Sequence, residues 1–156
     1  MTAKTDIFEN RLSDFIWRGK TLVIGGATAA WSPAAPTFYL GLFTVAPGEA
    51  GGGTEVTGGG YARQAVAASD ANFTTTQGTS GAGTTSSGTD GTIENAAVVP
   101  FGTASADLGN VQAFGWFDSL TGGTLLEYAN LTPARTITNG TTYSFSAGAL
   151  TIQEDN

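Results

Sequence analysis

Two carboxylates, Asp118 and Glu127, flank a Gly-Gly turn in the stretch "GWFDSLTGGTLLEYANL" (residues 115–131). With the turn centred on Gly122-Gly123, two strands face each other and Asp118 stands opposite Glu127. A pair of carboxylates is the equipment of glycoside hydrolysis. One protonates the leaving oxygen while the other attacks the sugar at a separation of about 5–5.5 Å, or activates water at roughly 6.5–9.5 Å. Such a site also needs a polar, aromatic groove and an environment that raises one of the two pKa values. Phe114 and Trp116 share a strand face with Asp118, but they serve equally well as core, with the acids capping a hairpin rim. The expectation is architecture, not catalysis.

Other chemistries are narrower still. The chain has neither histidine nor cysteine, which removes the commonest general base, thiolate metal sites and disulfides together. A serine nucleophile needs a base, and Lys4 and Lys20 are the only lysines, outside any S-x-x-K or G-x-S-x-G pattern. The glycine-rich stretches contain no G-x-x-x-x-G-K-[ST] and read as turns and loop tips. Asp90 and Glu94 in "SGTDGTIEN", with Asp107 and Asn110 in "ASADLGN", offer hard oxygen ligands of the kind calcium takes. They do not follow the spacing of a calcium-binding loop, so solvated turn acids are the better reading. No cofactor, no metal and no enzymatic activity are expected.

Charge divides the chain. The first twenty residues carry Lys4, Arg11, Arg18 and Lys20 against Asp6, Glu9 and Asp14, a net +1, and the rest carries −8, with Arg63 and Arg135 its only bases. An acidic body repels phosphate backbones, which argues against nucleic-acid binding. No apolar run approaches the roughly 18 residues of a membrane span, and the start "MTAKTDIFENR" lacks the apolar core of a signal peptide. Synthesis in a cytoplasm with no membrane partner is expected, and the sequons at Asn72, Asn130 and Asn139 then read as chance in a Thr-rich chain.

The elements that must position these residues follow from periodicity. In "TDIFENRLSDFIWRG" (5–19) the apolar Phe8, Leu12, Phe15 and Ile16 recur at helical spacing, with Glu9, Arg11, Ser13 and Asp14 on the polar face. This predicts an amphipathic helix within residues 1–19 that docks on its own domain or on a neighbouring subunit. "TFYLGLFTV" (37–45) is apolar on both faces and predicts a central strand. Further strands are expected at 61–68, 93–101, 110–118, 124–131, 134–138 and 142–153, with Asn139-Gly140 as a two-residue hairpin turn. The stretch "TTTQGTSGAGTTSSGTDG" (74–91) has almost nothing apolar to offset its ordering entropy, which predicts a disordered loop or a flat exposed ribbon. The predicted fold is mainly β: an antiparallel sandwich or jelly-roll-like domain over residues 20–153, preceded by one amphipathic helix. Trp17, Trp31 and Trp116 are expected as core or interface anchors.

The segments "FYLGLFTVAPGEAGGGTEVTGGGYARQAV" (38–66), "IENAAVVPFGTASADLGNVQAFGWFD" (93–118), "GGTLLEYANL" (122–131) and "NGTTYSFSAGALTI" (139–152) carry a family resemblance. The chain resembles small virion proteins of tailed bacteriophages, often labelled tail fibre proteins. The segment at 19–34, with Trp31, and the length of 74–91 depart from that pattern. The resemblance implies a non-enzymatic, multi-copy virion component, tail-associated or capsid-decorating. It implies as partners other copies of itself, in a trimer or another homo-oligomer, and other virion proteins. A surface glycan or receptor of the host is a further partner if the chain is a carbohydrate-binding module, which would show an exposed aromatic groove around Trp116. Interface residues are expected at Phe8, Leu12, Phe15, Ile16, Trp17 and Trp31, with the helix toward the particle and the Thr/Gly stretch toward solvent.

Overall fold

A computed structural model describes residues 4–154 of the chain. In chain order it has helix α1 (Asp6–Ile16) and eleven strands: β1 (Leu22–Ile24), β2 (Ala27–Ala29), β3 (Thr37–Val45), β4 (Thr54–Glu55), β5 (Gln64–Ala67), β6 (Thr92–Glu94), β7 (Val99–Thr103), β8 (Gly109–Phe117), β9 (Leu125–Ile137), β10 (Thr142–Phe145) and β11 (Thr151–Gln153). The chain is mainly β with one short N-terminal helix and antiparallel sheets, as its period-two patterning predicts. It divides into two compact units, one made of Met1–Pro36, Ala67–Val99 and Phe145–Asn156, the other of Thr37–Val66 and Pro100–Ser144. The helix therefore belongs to a larger first unit, and the division expected near residue 19 is not where the chain divides.

The first unit holds α1 and two small antiparallel pairs, β1–β2 and β6–β11. Its buried apolar residues include Trp17, Phe73, Ile93, Leu150 and Ile152. Trp17 packs on Phe73 with ring centroids 5.5 Å apart. A buried amide, Asn95, ties this unit together. Its Nδ2 donates to the carbonyls of Ala97 and Ser146, both at 2.8 Å, and its Oδ1 accepts from the Leu150 N–H at 2.8 Å. The local bond to Ala97 competes with ladder pairing and ends β6 at Glu94, so the strand expected over 93–101 becomes β6 and β7. Similarly, the strand expected over 142–153 breaks into β10 and β11 at a turn closed by Ala149 N–H to Ser146 C=O (3.1 Å), where Gly148 takes a positive φ of 77°.

The second unit is built on a five-stranded sheet of order β4-β3-β8-β9, with β5 also paired to β3, and a separate β7–β10 pair. Strands β3 and β8 lie inside the sheet and are buried on both faces, which is what the doubly apolar "TFYLGLFTV" requires. Gly41 and Gly115 stand directly opposite each other in the β3–β8 register. A Cβ on Gly41 would lie 2.8 Å from the Phe117 ring, and one on Gly115 would lie 2.5 Å from Leu125 and 3.0 Å from Phe43. The two missing side chains thus leave a shallow trough in which Phe117, Phe43 and Leu125 lie flat. Phe43, Ala113 and Phe117 form a buried cluster there, against which Tyr39 and Leu125 pack. Full burial of each phenylalanine is worth about 1.5–3 kcal/mol, so the trough is a main source of this unit's stability.

Two expectations for the strands change. The separate strands expected at 124–131 and 134–138 are one strand, β9, which runs through the cis Thr132–Pro133 bond. It tolerates a proline because it is the terminal strand of its sheet. Asn139-Gly140 does make a turn, closed by the Thr141 N–H on the Thr138 carbonyl at 3.0 Å. The strands it joins do not pair, however, because β9 pairs with β8 and β10 pairs with β7. The trough generates a prediction. Gly115→Val should overpack it and lower stability by about 1–3 kcal/mol, read as a reduced urea midpoint at an unchanged m-value.

Candidate functional site

The helix docks the other way round from an ordinary amphipathic helix. Its buried residues are the polar ones, Glu9, Asn10, Ser13 and Asp14. Asn10 and Asp14 both reach the Thr/Gly stretch. Asn10 Nδ2 donates to the Gly88 carbonyl at 2.9 Å, and Asn10 Oδ1 accepts from the Thr76 hydroxyl. The Asp14 carboxylate accepts from the Ser86 N–H at 3.0 Å and from the Ser86 hydroxyl at 2.7 Å. Arg18, also buried, donates to Asp14 at 2.6 Å, to the Thr84 hydroxyl and carbonyl at 2.6 and 3.2 Å, and to the Phe73 carbonyl at 3.4 Å. It meets Asp70 Oδ1 at 2.8 Å as an ion contact that is not aligned as a hydrogen bond. Lys20 closes the cluster on the other Asp70 oxygen at 2.9 Å.

These contacts correct the view of residues 74–91 as a disordered loop or exposed ribbon. Thr74, Thr75 and Thr76 are buried, and hydrogen bonds between Thr74 and Glu94, between Thr75 and Thr79, and from Thr76 and Ser86 to the helix take the place of the missing apolar area, while residues 77–80 stay exposed. They also correct the orientation that put the helix and this stretch at opposite ends, since the two pack on each other within one unit. The signal for this was legible: Asn10, Asp14 and Arg18 are spaced four apart and form a polar stripe of their own.

The expected interface residues separate into two groups. Trp17 is 1% exposed and belongs to the core of the first unit, so it is not an exposed anchor. Its Nε1 donates to Glu154 at 3.3 Å. Phe15 and Trp31 are half-buried and stack on each other at 4.6 Å and 7°, with Trp31 Nε1 donating to the Phe15 carbonyl at 2.7 Å. Leu12 and Ile16 are half-buried. Phe8 is 38% exposed, and beside it Ile7, absent from the expected set, is 67% exposed. Val23 and Ile24 of the β1–β2 hairpin are exposed as well, and Arg11 Nη1 ties the hairpin to the helix through the Val23 carbonyl at 2.8 Å. Ile7, Asn10, Arg11, Lys20 and Val23 line an open groove of about 650 Å³ with Ser86–Gly88 on its far side.

In the second unit the segment "TEVTGGGYAR" (54–63) resolves into a single network. Arg63 grips Glu55 with two hydrogen bonds, Nε to Oε1 at 2.8 Å and Nη2 to Oε2 at 2.7 Å. The Tyr61 hydroxyl donates to Glu55 Oε1 at 2.9 Å and accepts from the Leu42 N–H at 2.9 Å. Arg63 Nη1 donates to the Ser119 and Gly122 carbonyls at 2.8 and 2.7 Å, and its guanidinium lies 3.3 Å above the Phe117 ring. The three glycines Gly58–Gly60 turn the chain so that Tyr61 and Arg63 reach back over the sheet onto Glu55. The network therefore fixes the β8–β9 hairpin turn to the sheet. Burial pushes the Glu55 carboxyl up, but the hydrogen bonds from Arg63 and Tyr61 and the Arg63 charge outweigh it and hold it below its usual value. Burial drives the Tyr61 phenol well above its usual value, so it stays a donor. Tyr143, stacked on Phe101 at 5.1 Å, is pushed up to about 12 by burial alone.

Asp118 and Glu127 do not meet. The turn is centred on Thr121, with the Asp118 N–H on the Thr124 carbonyl at 3.2 Å, and not on Gly122-Gly123, so that Phe117 faces Leu125 and, past a bulge at Leu126, Trp116 faces Glu127. Asp118 Oδ1 instead accepts from the Thr124 N–H at 2.7 Å and closes the turn. Trp116 is 1% exposed, so the aromatic groove expected around it is not present. The oxygen ligands considered for calcium lie in different units: Asp90 Oδ1 accepts from Thr92 N–H at 3.1 Å, and Asp107 Oδ1 accepts from Asn139 N–H at 2.8 Å. Among the described residues no three acidic side chains converge on a point.

The chain is thus a mainly β protein whose most distinctive motif braces a hairpin and whose outward surface includes apolar side chains on a helix. Residues 3–153 match the family described as Podophage GP4 fiber I protein gp80, and the chain belongs to that family. A comparison with curated proteins gives no match.

Two predictions follow from the buried networks. Arg18→Met should lower stability by about 3–5 kcal/mol, because Asp14 and Asp70 lose the charge that compensates them, measured by urea unfolding. Glu55 has a folded pKa below its usual 4.5, so its contribution is complete above that pH and is lost as pH falls through the folded value. The melting temperature of wild type should therefore exceed that of Glu55→Gln at about pH 6, and the difference should shrink as the pH is taken down below 4.5.

Proposed function

We propose that this chain is a non-enzymatic, multi-copy structural component of a tailed-phage particle, carried on the tail as a fibre or baseplate subunit. In this reading it works through subunit contacts made by the outward face of α1. The observation that carries it is the inverted helix: Asn10 and Asp14 are bonded inside its own unit, while Ile7 and Phe8 are exposed and Ile7 shares an open groove with the exposed Val23. Apolar side chains grouped on a surface mark contact sites more often than chance exposure does. Membership of a podophage fibre family supports the tail over the head as the place where such contacts are made. The use of Asp118 in a turn and of Glu55 in a brace supports a structural role over a hydrolytic one. A receptor- or glycan-binding role lacks the aromatic groove that would have favoured it.

Removing residues 1–18 is not a clean test, because it takes away Arg18 and with it the order of 74–91. The double variant Ile7→Glu, Phe8→Glu changes only exposed positions. It should fold with an unchanged melting profile, yet enter purified particles at least about tenfold less than wild type, since each carboxylate would be buried unpaired in the contact. Immunogold labelling of wild-type particles should mark tails. Label over heads, or normal incorporation of the double variant, overturns the corresponding part of the proposal.

A further inference from the structure

Asn139 is the only asparagine of the chain that a glycine follows. Both residues are exposed, at the turn between β9 and β10. An asparagine so placed is open to attack from its own backbone. The nitrogen of the next residue, once it gives up its proton, bonds to the side-chain Cγ. The Cγ–Nδ2 bond breaks, the amide group leaves with that proton as ammonia, and a cyclic imide remains. Water then opens the ring at either carbonyl, to aspartate or to isoaspartate. Glycine hinders this least, because it has no Cβ to crowd the ring and its backbone turns freely. Every other asparagine with a successor in the sequence is followed by a residue with a side chain, and the amides of Asn10 and Asn95 are already held by hydrogen bonds.

The fold holds the attacking nitrogen. The Gly140 N–H donates to the Ala104 carbonyl at 2.8 Å, and the Ala104 N–H donates back to the Thr141 carbonyl at 2.9 Å. Ala104 is buried, so its carbonyl is a fixed acceptor. The Asn139 N–H donates to Asp107 Oδ1 at 2.8 Å, which fixes the residue that would have to swing its Cγ onto that nitrogen. The geometry points to Asn139 as a spontaneous deamidation site that the closed turn keeps unreactive, so that only chains whose turn has opened are converted. Reclosing does not undo the change. Either product places a carboxylate on the residue whose N–H is bonded to the Asp107 carboxylate, and isoaspartate also lengthens the main chain between that N–H and the one on Ala104. The site lies in the second unit and does not depend on the role given to α1.

The full-length chain is incubated in mildly alkaline buffer, with and without guanidinium chloride, and loss of ammonia is located by peptide mapping with mass detection. In guanidinium the loss should fall first on Asn139. In buffer alone it should be at least about tenfold slower, since reaction then waits on the fraction of molecules with an open turn. Asp107→Ala frees the Asn139 N–H without touching the reacting groups, and Asp107 is exposed. This variant should convert severalfold faster than wild type in buffer and at the same rate in guanidinium. Hydrogen exchange at the Gly140 amide of wild type, which needs no variant to fold, should be slowed relative to an unstructured peptide. Equal rates of conversion with and without guanidinium, ammonia lost first from another asparagine, a folded Asp107→Ala chain no faster than wild type in buffer, or a Gly140 amide that exchanges as in a peptide overturns the inference.

Discussion

A guanidinium that has lost its water must find all of its hydrogen-bond partners in protein, and this requirement organises the first unit. Arg18 is 3% exposed, and every partner it finds apart from Asp14 lies between Asp70 and Thr84. Those partners come from the part of the chain with the least apolar content. The arginine cannot be buried until they are in place, and they have little reason to be in place without it. Burial of the one and order of the other are a single event. The second unit repeats the device on different terms. Arg63 bridges Glu55 on β4 to the carbonyls of a hairpin turn, and it covers Phe117 as it does so.

The price of such a design is paid in the geometry of α1. A helix that turns Asn10 and Asp14 inward to meet a Thr/Ser-rich segment leaves Leu12, Phe15 and Ile16 half-buried and Ile7 and Phe8 outside, beside Asp6 and Arg11. An eleven-residue helix is marginal in isolation. Here its order comes from side-chain hydrogen bonds at Asn10 and Asp14, together with the Trp17 and Phe15 rings at its C-terminal end. Because each of these holds a different turn, the exposed Ile7 and Phe8 sit at the end least covered by packing. The surface left open is thus a consequence of what the inner face binds.

Much of the fold was legible in the sequence where one signal sufficed. "TFYLGLFTV" is apolar at every other position on both faces, and no other structure than a central strand accommodates that pattern. The β8–β9 hairpin and its glycine turn were equally clear. What escaped depended on partners far along the chain. The helix direction could not be inferred from its apolar stripe alone, because the decision rests on whether Asn10, Asp14 and Arg18 find ligands some seventy residues away. The same holds for Asn95, whose amide reaches Ser146 and Leu150 and so cuts two expected strands at once. At the candidate site, Asp118 opposite Glu127 was a fair inference from turn position. The turn is centred on Thr121 and not on the Gly-Gly pair, which places Glu127 opposite Trp116, and a run of Ser, Thr and Gly carries no mark of which residue stands at the turn's centre.

The network of Glu55, Tyr61 and Arg63 serves the sheet itself. Glu55, Tyr61 and Arg63 do not open a pocket toward a ligand. Between them they use both carboxylate oxygens, the phenol as donor and acceptor, and four guanidinium bonds on partners within the same unit. Their effect is to fix where the β8–β9 hairpin leaves the sheet, and hence where the outer edge of β9 points. A loosely held hairpin would let that edge twist and slip, and an edge with few charges is prone to pair in several registers. Bracing the turn holds β9, between its register shifts at Leu126 and at 131–134, in one alignment against β8.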